Sequence, residues 1–282
     1  MPSNKKNYPK ALQKEWKALE KKEARMSVAA GKDREGQRWR QALEDKVPDK
    51  IRINLEKAFC MAFATVFGKG TGIIEKSYDC QKILDNFQIQ NYAFQVRADR
   101  KSLKQVRNGV LCKNLGNMAA TAVEGIGLGA LGIGLPDIVI FTGMLLRGVY
   151  ETALHYGFGY DTPEERYFIL KLMENAMRKG EAWREGNKEI DRLILATTGK
   201  GAYPDSVADA TEEALAAQIR STSDAFAADM LVLKFVQGLP AIGVLGGCGN
   251  PVYYNKVMKY ARLKYQKRYL CRLGEEFQVD GL

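Results

Sequence analysis

Apolar residues recur along this chain at steps of three, four and seven, the period of a helix face, and nowhere in the sustained step of two that marks a half-buried strand. From Pro9 to Met26, the side chains of Leu12, Trp16, Leu19 and Met26 fall on one face, flanked by lysines at 10, 14, 17 and 21. Such a basic helix can lie on a membrane surface, but a stripe of this kind also packs on its own domain, and the second reading is the one adopted here. A polar stretch, Gly31–Glu44, holds at most a short helix around Trp39 and Leu43. After Pro48, Ile51, Leu55, Ala58, Phe59 and Ala62 predict a second helix that dissolves at the glycines following Phe67. Asp79–Tyr92 and Lys101–Val123 read as further helices. Thr162-Pro163-Glu164-Glu165 reads as an N-cap, a first-turn proline and a capping box closed by Glu165, opening a helix that runs to about Lys179. Another follows Glu185 and ends near Gly199, then Asp205–Gln218 and Thr222–Gln237 complete the set. The pattern predicts an all-α fold, a multi-helix globular bundle. Its divisions are an N-terminal amphipathic helix and polar loop (1–47), a helical body (48–272) and a short tail (273–282).

Two segments depart from ordinary amphipathic patterning. Gly125–Val149 reads GIGLGALGIGLPDIVIFTGMLLRGV, and Phe235–Asn255 is free of charge but holds Pro240, Pro251 and five glycines. Glycine costs about 1 kcal/mol against alanine inside a helix, so such density asks for close helix packing in apolar hairpins. A bilayer span needs about 20 apolar residues. Asp137 and Arg147 interrupt the first segment and the prolines break the second, so neither is read as a span. The first is expected to form two helices broken at Leu135–Asp137, with Asp137 near the second N-terminus. Arg147, amid Met144, Leu145, Leu146 and Val149, is expected to be buried and paired with Glu124 or Asp137. Arginine and tyrosine stand eleven and fourteen residues after Pro136 (Arg147, Tyr150) and again after Pro251 (Arg262, Tyr265), a weak internal echo.

Charge sharpens this picture. The 282 residues carry a formal net charge of +10, and Pro251–Arg272 holds Lys256, Lys259, Arg262, Lys264, Lys267, Arg268 and Arg272 with no acidic residue. A one-sign block attracts phosphate on lipid or nucleic acid, and it also suits a solvated face that keeps a protein in solution. Tyr254, Met258, Ala261, Tyr265 and Tyr269 share one face, expected to pack on the glycine-rich arms while the lysines form an exposed positive surface. Five scattered cysteines give no zinc spacing with the one histidine, His155, and the cysteines read as reduced core residues; no metal or cofactor is expected. MPSNKKNYPK lacks an apolar stretch behind its lysines, which points to a cytoplasmic location.

Gly127-Leu-Gly129-Ala-Leu-Gly132 matches GxGxxG, but what precedes it is alanine-rich and helical rather than a strand, so small-residue helix packing explains it better than a dinucleotide. Gly68-Lys69-Gly70-Thr71-Gly72 lacks the phosphate-loop order, and no serine sits in GxSxG. An enzyme reading therefore rests on Asp137, Arg147, Tyr150 and Asp161 lining a hydrolase-type pocket, without a nucleophile–base pair.

The run GLGALGIGLPDIVIFTGMLLRGVYETALHYGFGYDTPEERYFIL, followed by KFVQGLPAIGVLGGCGNPVYYNKVMKYARLKYQKRYL, resembles the EcsC family over roughly Pro9–Leu270. The resemblance implies a helical, bacterial-type protein, cytoplasmic or peripheral to the membrane, from a family named for a product encoded beside an ABC transporter. It implies no catalytic residues. The expectation is a non-enzymatic protein at the cytoplasmic membrane surface. It would bind anionic lipid or a membrane-protein partner through Lys256, Lys259, Arg262, Lys264, Lys267 and Arg268 and the glycine-rich arms. Nucleic acid, resting on charge alone, ranks last.

Overall fold

The computed structural model describes residues 8–32, 49–109, 136–197, 212–236 and 251–279. Among these residues the regular elements are ten α-helices and one π-helical turn, with no strand. They are α1 (Tyr8–Lys32), α2 (Asp49–Thr65), α3 (Thr71–Glu75), α4 (Cys80–Arg97), α5 (Arg100–Gly109), α6 (Pro136–His155), α7 (Pro163–Met177), α8 (Gly180–Thr197), α9 (Glu212–Val236) and α10 (Pro251–Glu276). The all-α expectation holds.

Local chemistry explains several boundaries. Asp79 caps α4 by accepting from the Lys82 amide, and Ala98 ends that helix in the left-handed region. The glycines after Phe67 do not end α2. The chain widens into a π turn over Val66–Gly70, where the Thr71 hydroxyl donates to the Val66 carbonyl, and continues as α3. Thr162 accepts from the Glu165 amide at 3.2 Å with Pro163 in the first turn, as read from the sequence. The other half of the expected capping box is absent, because the Glu165 carboxylate turns inward. It accepts from the Tyr265 hydroxyl at 2.7 Å and from Arg268 at 2.6 Å.

The two helices expected on either side of Ser221 are one continuous α9. Thr222 and Ser223 donate to the carbonyls of Gln218 and Ile219, four residues back, so these polar residues sit within the helix rather than breaking it. The stretch 205–211 lies outside the described residues, as do the short helix around Trp39, the Lys101–Val123 helix beyond Gly109 and both glycine-rich arms. Among the described residues no helix is long and apolar enough to cross a membrane.

α10 is the axis of the assembly, touching α1, α6, α7 and α8; α9 packs on α2 and α7, and α4 on α5 and α6. The apolar stripe of α1 docks as expected, with Leu12 and Leu19 fully buried and Trp16 and Met26 against the same core. The echo of Pro136 and Pro251 is architectural: each proline starts a helix, α6 and α10, and the two helices pack on each other. Their approach is close at Gly148, where a Cβ would stand 2.6 Å from the Met258 sulfur and 2.7 Å from the Tyr254 hydroxyl.

Candidate functional site

The basic residues of α10 were expected on one exposed face. The structure corrects this, because most of them point inward to carboxylates contributed by other helices. Lys264 has no solvent exposure and binds Glu23 of α1 at 2.5 Å and Asp191 of α8 at 2.6 Å. Lys267 binds the same two carboxylates at 2.9 and 2.8 Å. Arg268 pairs with Glu165 of α7 and lies between the rings of Phe158 and Phe168. Lys256 pairs with Asp229 of α9 at 2.9 Å. Arg272 donates to the carbonyls of Tyr156 and Gly157 and so closes the end of α6, where Gly157 takes a φ of +72°. The face of Tyr254, Met258, Ala261, Tyr265 and Tyr269 is buried, while the glycine-rich arms expected to cover it lie outside the described residues. Tyr253, Tyr254, Tyr260, Tyr265 and Tyr269 are all buried, and Tyr260 bridges Asn175 and Asn187.

Burial raises the cost of a charged group, and a close opposite charge offsets it. Burial alone would push the Glu23 carboxyl up, but the ammoniums of Lys264 and Lys267 more than offset this and hold it at about 2. Lys264 is drawn down by burial, against the pull of Asp191 and Glu23. Lys267, nearer the edge, is held above its ordinary value by the same two carboxylates despite its own desolvation.

Of the proposed pocket charges only Arg147, Tyr150 and Asp161 can be placed, and they have different surroundings. Arg147 is mostly buried, as expected, but its partner is Glu151 on its own helix, at 2.8 Å, with its guanidinium also over the Tyr78 ring. An acceptor one turn away on the same helix is within easy reach of the guanidinium. Tyr150 is sealed in the core, stacked on Tyr160 with ring centroids 4.2 Å apart, and Asp161 is exposed at the start of α7. Glu124 and the side chain of Asp137 lie outside the described residues. His155 is partly buried, and desolvation holds it below its ordinary value against the opposing charge of Glu151. Among the described residues no three His, Cys, Asp or Glu side chains are placed to hold a metal.

Two of the expected binding residues, Lys259 and Arg262, meet a different environment. They line a cleft of about 590 Å³ between α1, α5 and α10, opposite Lys22, Arg25 and Arg107, over a floor of Met26, Ala29, Met258 and Leu263. Among the described residues no carboxylate lines it. Arg107 is matched from beneath by Glu15, which is 1% exposed and also bound by Arg100 and Gln266. Among the described residues Lys22, Arg25 and Lys259, all exposed, and the half-buried Arg262 have no carboxylate within 4 Å, and the Nε of Arg262 has no acceptor. Burial and the neighbouring Arg107 charge lower Lys22, with Glu15 acting against them. A smaller cavity of about 220 Å³ adjoins the cleft and shares Met26, Ala29 and Lys259 with it.

The α1 half of this site was missed in the sequence. Its signal was present: Lys22, Arg25, Met26 and Ala29 follow helical spacing, as do Asn255, Met258, Lys259, Arg262 and Gln266. Nothing in one dimension says that these two faces meet.

The molecule is thus an all-helical protein whose central basic helix is neutralised on most sides and left unmatched along one cleft. The EcsC protein family matches residues 13–270, and the chain belongs to that family. Neither a curated protein nor a solved structure gives a match.

Proposed function

We propose that this protein is a non-enzymatic binder of anionic amphiphiles, working at the cytoplasmic surface of the membrane and taking lipid into the cleft between α1, α5 and α10. The observation that carries this reading is the contrast within one helix. Lys256, Lys264, Lys267 and Arg268 each meet a carboxylate, whereas Lys259 and Arg262 stand with Lys22 and Arg25 around an apolar floor without one. Lys22, Arg25 and Lys259 are exposed, so their charges create an open positive field over apolar side chains, and an anionic ligand with an apolar tail is complementary to both. The expected lipid-binding set Lys256–Arg268 therefore narrows to Lys259 and Arg262, joined by Lys22 and Arg25.

Co-sedimentation with vesicles tests this. Recovery on phosphatidylglycerol-rich vesicles should exceed that on phosphatidylcholine, fall with salt, and drop in a Lys259→Glu/Arg262→Glu variant. Equal recovery on both vesicles would overturn the proposal. Mass spectrometry of the purified protein under native conditions provides a second readout, with bound lipid expected in the wild type and lost in the variant.

A further inference from the structure

Resting on that reading, we propose that the anion seated in the cleft is a terminal phosphate ester carrying nearly two charges. Lys259 and Arg262 of α10 would grip it from one side and Lys22 and Arg25 of α1 from the other, with its alkyl part against Met26, Ala29, Met258 and Leu263.

The first ground is charge. Four cations, Lys22, Arg25 and Lys259 exposed and Arg262 half-buried, line one cleft without a carboxylate partner among the described residues, so the positive field opens into the cleft. A phosphodiester headgroup or a fatty-acid carboxylate brings a single charge and leaves most of that positive potential in place. A phosphate monoester brings about −1.5 to −2 near pH 7. The second ground is the number and direction of donors. A carboxylate and a phosphodiester each offer two equivalent terminal oxygens, whereas a terminal phosphate offers three. Three oxygens suit a clamp of ammonium and guanidinium groups arriving from two separate helices. The third is Arg262, which lines the cleft and whose planar guanidinium fork binds phosphate in two-point fashion. The lowered Lys22 agrees, since a doubly charged ligand relieves the repulsion from Arg107 that helps to lower it.

The chemistry of a terminal phosphate could come from a lipid headgroup or from a free phosphate compound, so the test separates them. Calorimetric titration of the full chain would use three probes: dihexanoyl phosphatidic acid, dihexanoyl phosphatidylglycerol and inorganic phosphate, all below micelle-forming concentrations. The monoester lipid is expected to bind at least about tenfold more tightly than the diester with the same chains, a difference of about 1.4 kcal/mol. Inorganic phosphate should compete for the same seat with weaker affinity. Arg262→Lys, which keeps the charge but removes the fork, should reduce the tenfold preference while circular dichroism stays unchanged. Lys259→Met, at an exposed position, should weaken the monoester more than the diester. Equal binding of the two lipids, lost in the cleft variants, overturns the phosphate-monoester inference while the amphiphile reading stands. Inorganic phosphate binding as tightly as the lipid keeps the phosphate seat and overturns the amphiphile reading. No binding of any probe overturns both.

Discussion

Lys264 has no solvent exposure and is held between two carboxylates that its neighbour Lys267 also uses. Removing one partner from a buried ion pair typically costs about 3–5 kcal/mol, because the remaining charge stays desolvated. Lys264→Met leaves Glu23 and Asp191 to share Lys267 alone, and a loss near the lower end of that range is expected in urea-unfolding midpoints. Gly148 is sensitive for a steric reason. A side chain there meets Met258 and Tyr254 across the α6–α10 contact, so Gly148→Val should cost about 1–3 kcal/mol through overpacking. Gly157 combines a positive φ with the Phe87 ring 2.2 Å from a would-be Cβ, and its replacement by alanine is expected to destabilise through strain and clash together.

At the scale of elements, α1 is fastened by two carboxylates, the buried Glu15 and the half-buried Glu23. Glu15 meets Arg100, Arg107 and Gln266 of α5 and α10, and Glu23 meets Lys264, Lys267 and Asn187. Glu23 is depressed from its ordinary 4.5 to about 2 in the folded protein. A depressed carboxyl contributes stability that is present above the unfolded value and is lost as pH falls through the folded one. The Glu23 contribution should therefore be complete at pH 6 and decline between about pH 5 and pH 2. Glu23→Gln should be less stable at pH 6 and lose less on acidification, so that the two stability-versus-pH curves converge. Parallel curves in denaturant titrations at pH 6, 5, 4 and 3 would show that Glu23 does not anchor α1.

For the whole molecule, the cleft joins α1 to α10, and any ligand there binds only the assembled state. Binding of this kind stabilises in proportion to occupancy, by about 2.7 kcal/mol when ligand stands at a hundred times its Kd. Saturating short-chain anionic lipid is thus expected to raise the melting temperature of the wild type and to leave Lys259→Met/Arg262→Met nearly unmoved. A neutral lipid of equal chain length should leave both unmoved. An equal rise in both proteins would place the binding elsewhere.

The periodic placement of Leu12, Leu19, Leu55, Phe59, Leu172 and Met173, the Thr162–Pro163 start and the proline starts at 136 and 251 were legible because each depends on residues within a turn or two along one helix. Family membership was legible for the same reason, since local motifs carry it. What the sequence did not contain was which charges are spent on structure. Pro251–Arg272 reads as a uniformly basic helix, yet its fate is set by Glu23, Glu165, Asp191 and Asp229, which lie between 27 and 244 positions away along the chain. Charge along one segment fixes the sign of the field it creates but not its exposure. Only packing brings a carboxylate within 4 Å of the ammoniums of Lys256, Lys264 and Lys267. The tertiary structure alone therefore decided that Lys264 is a core residue and that Lys259 and Arg262 face a cleft.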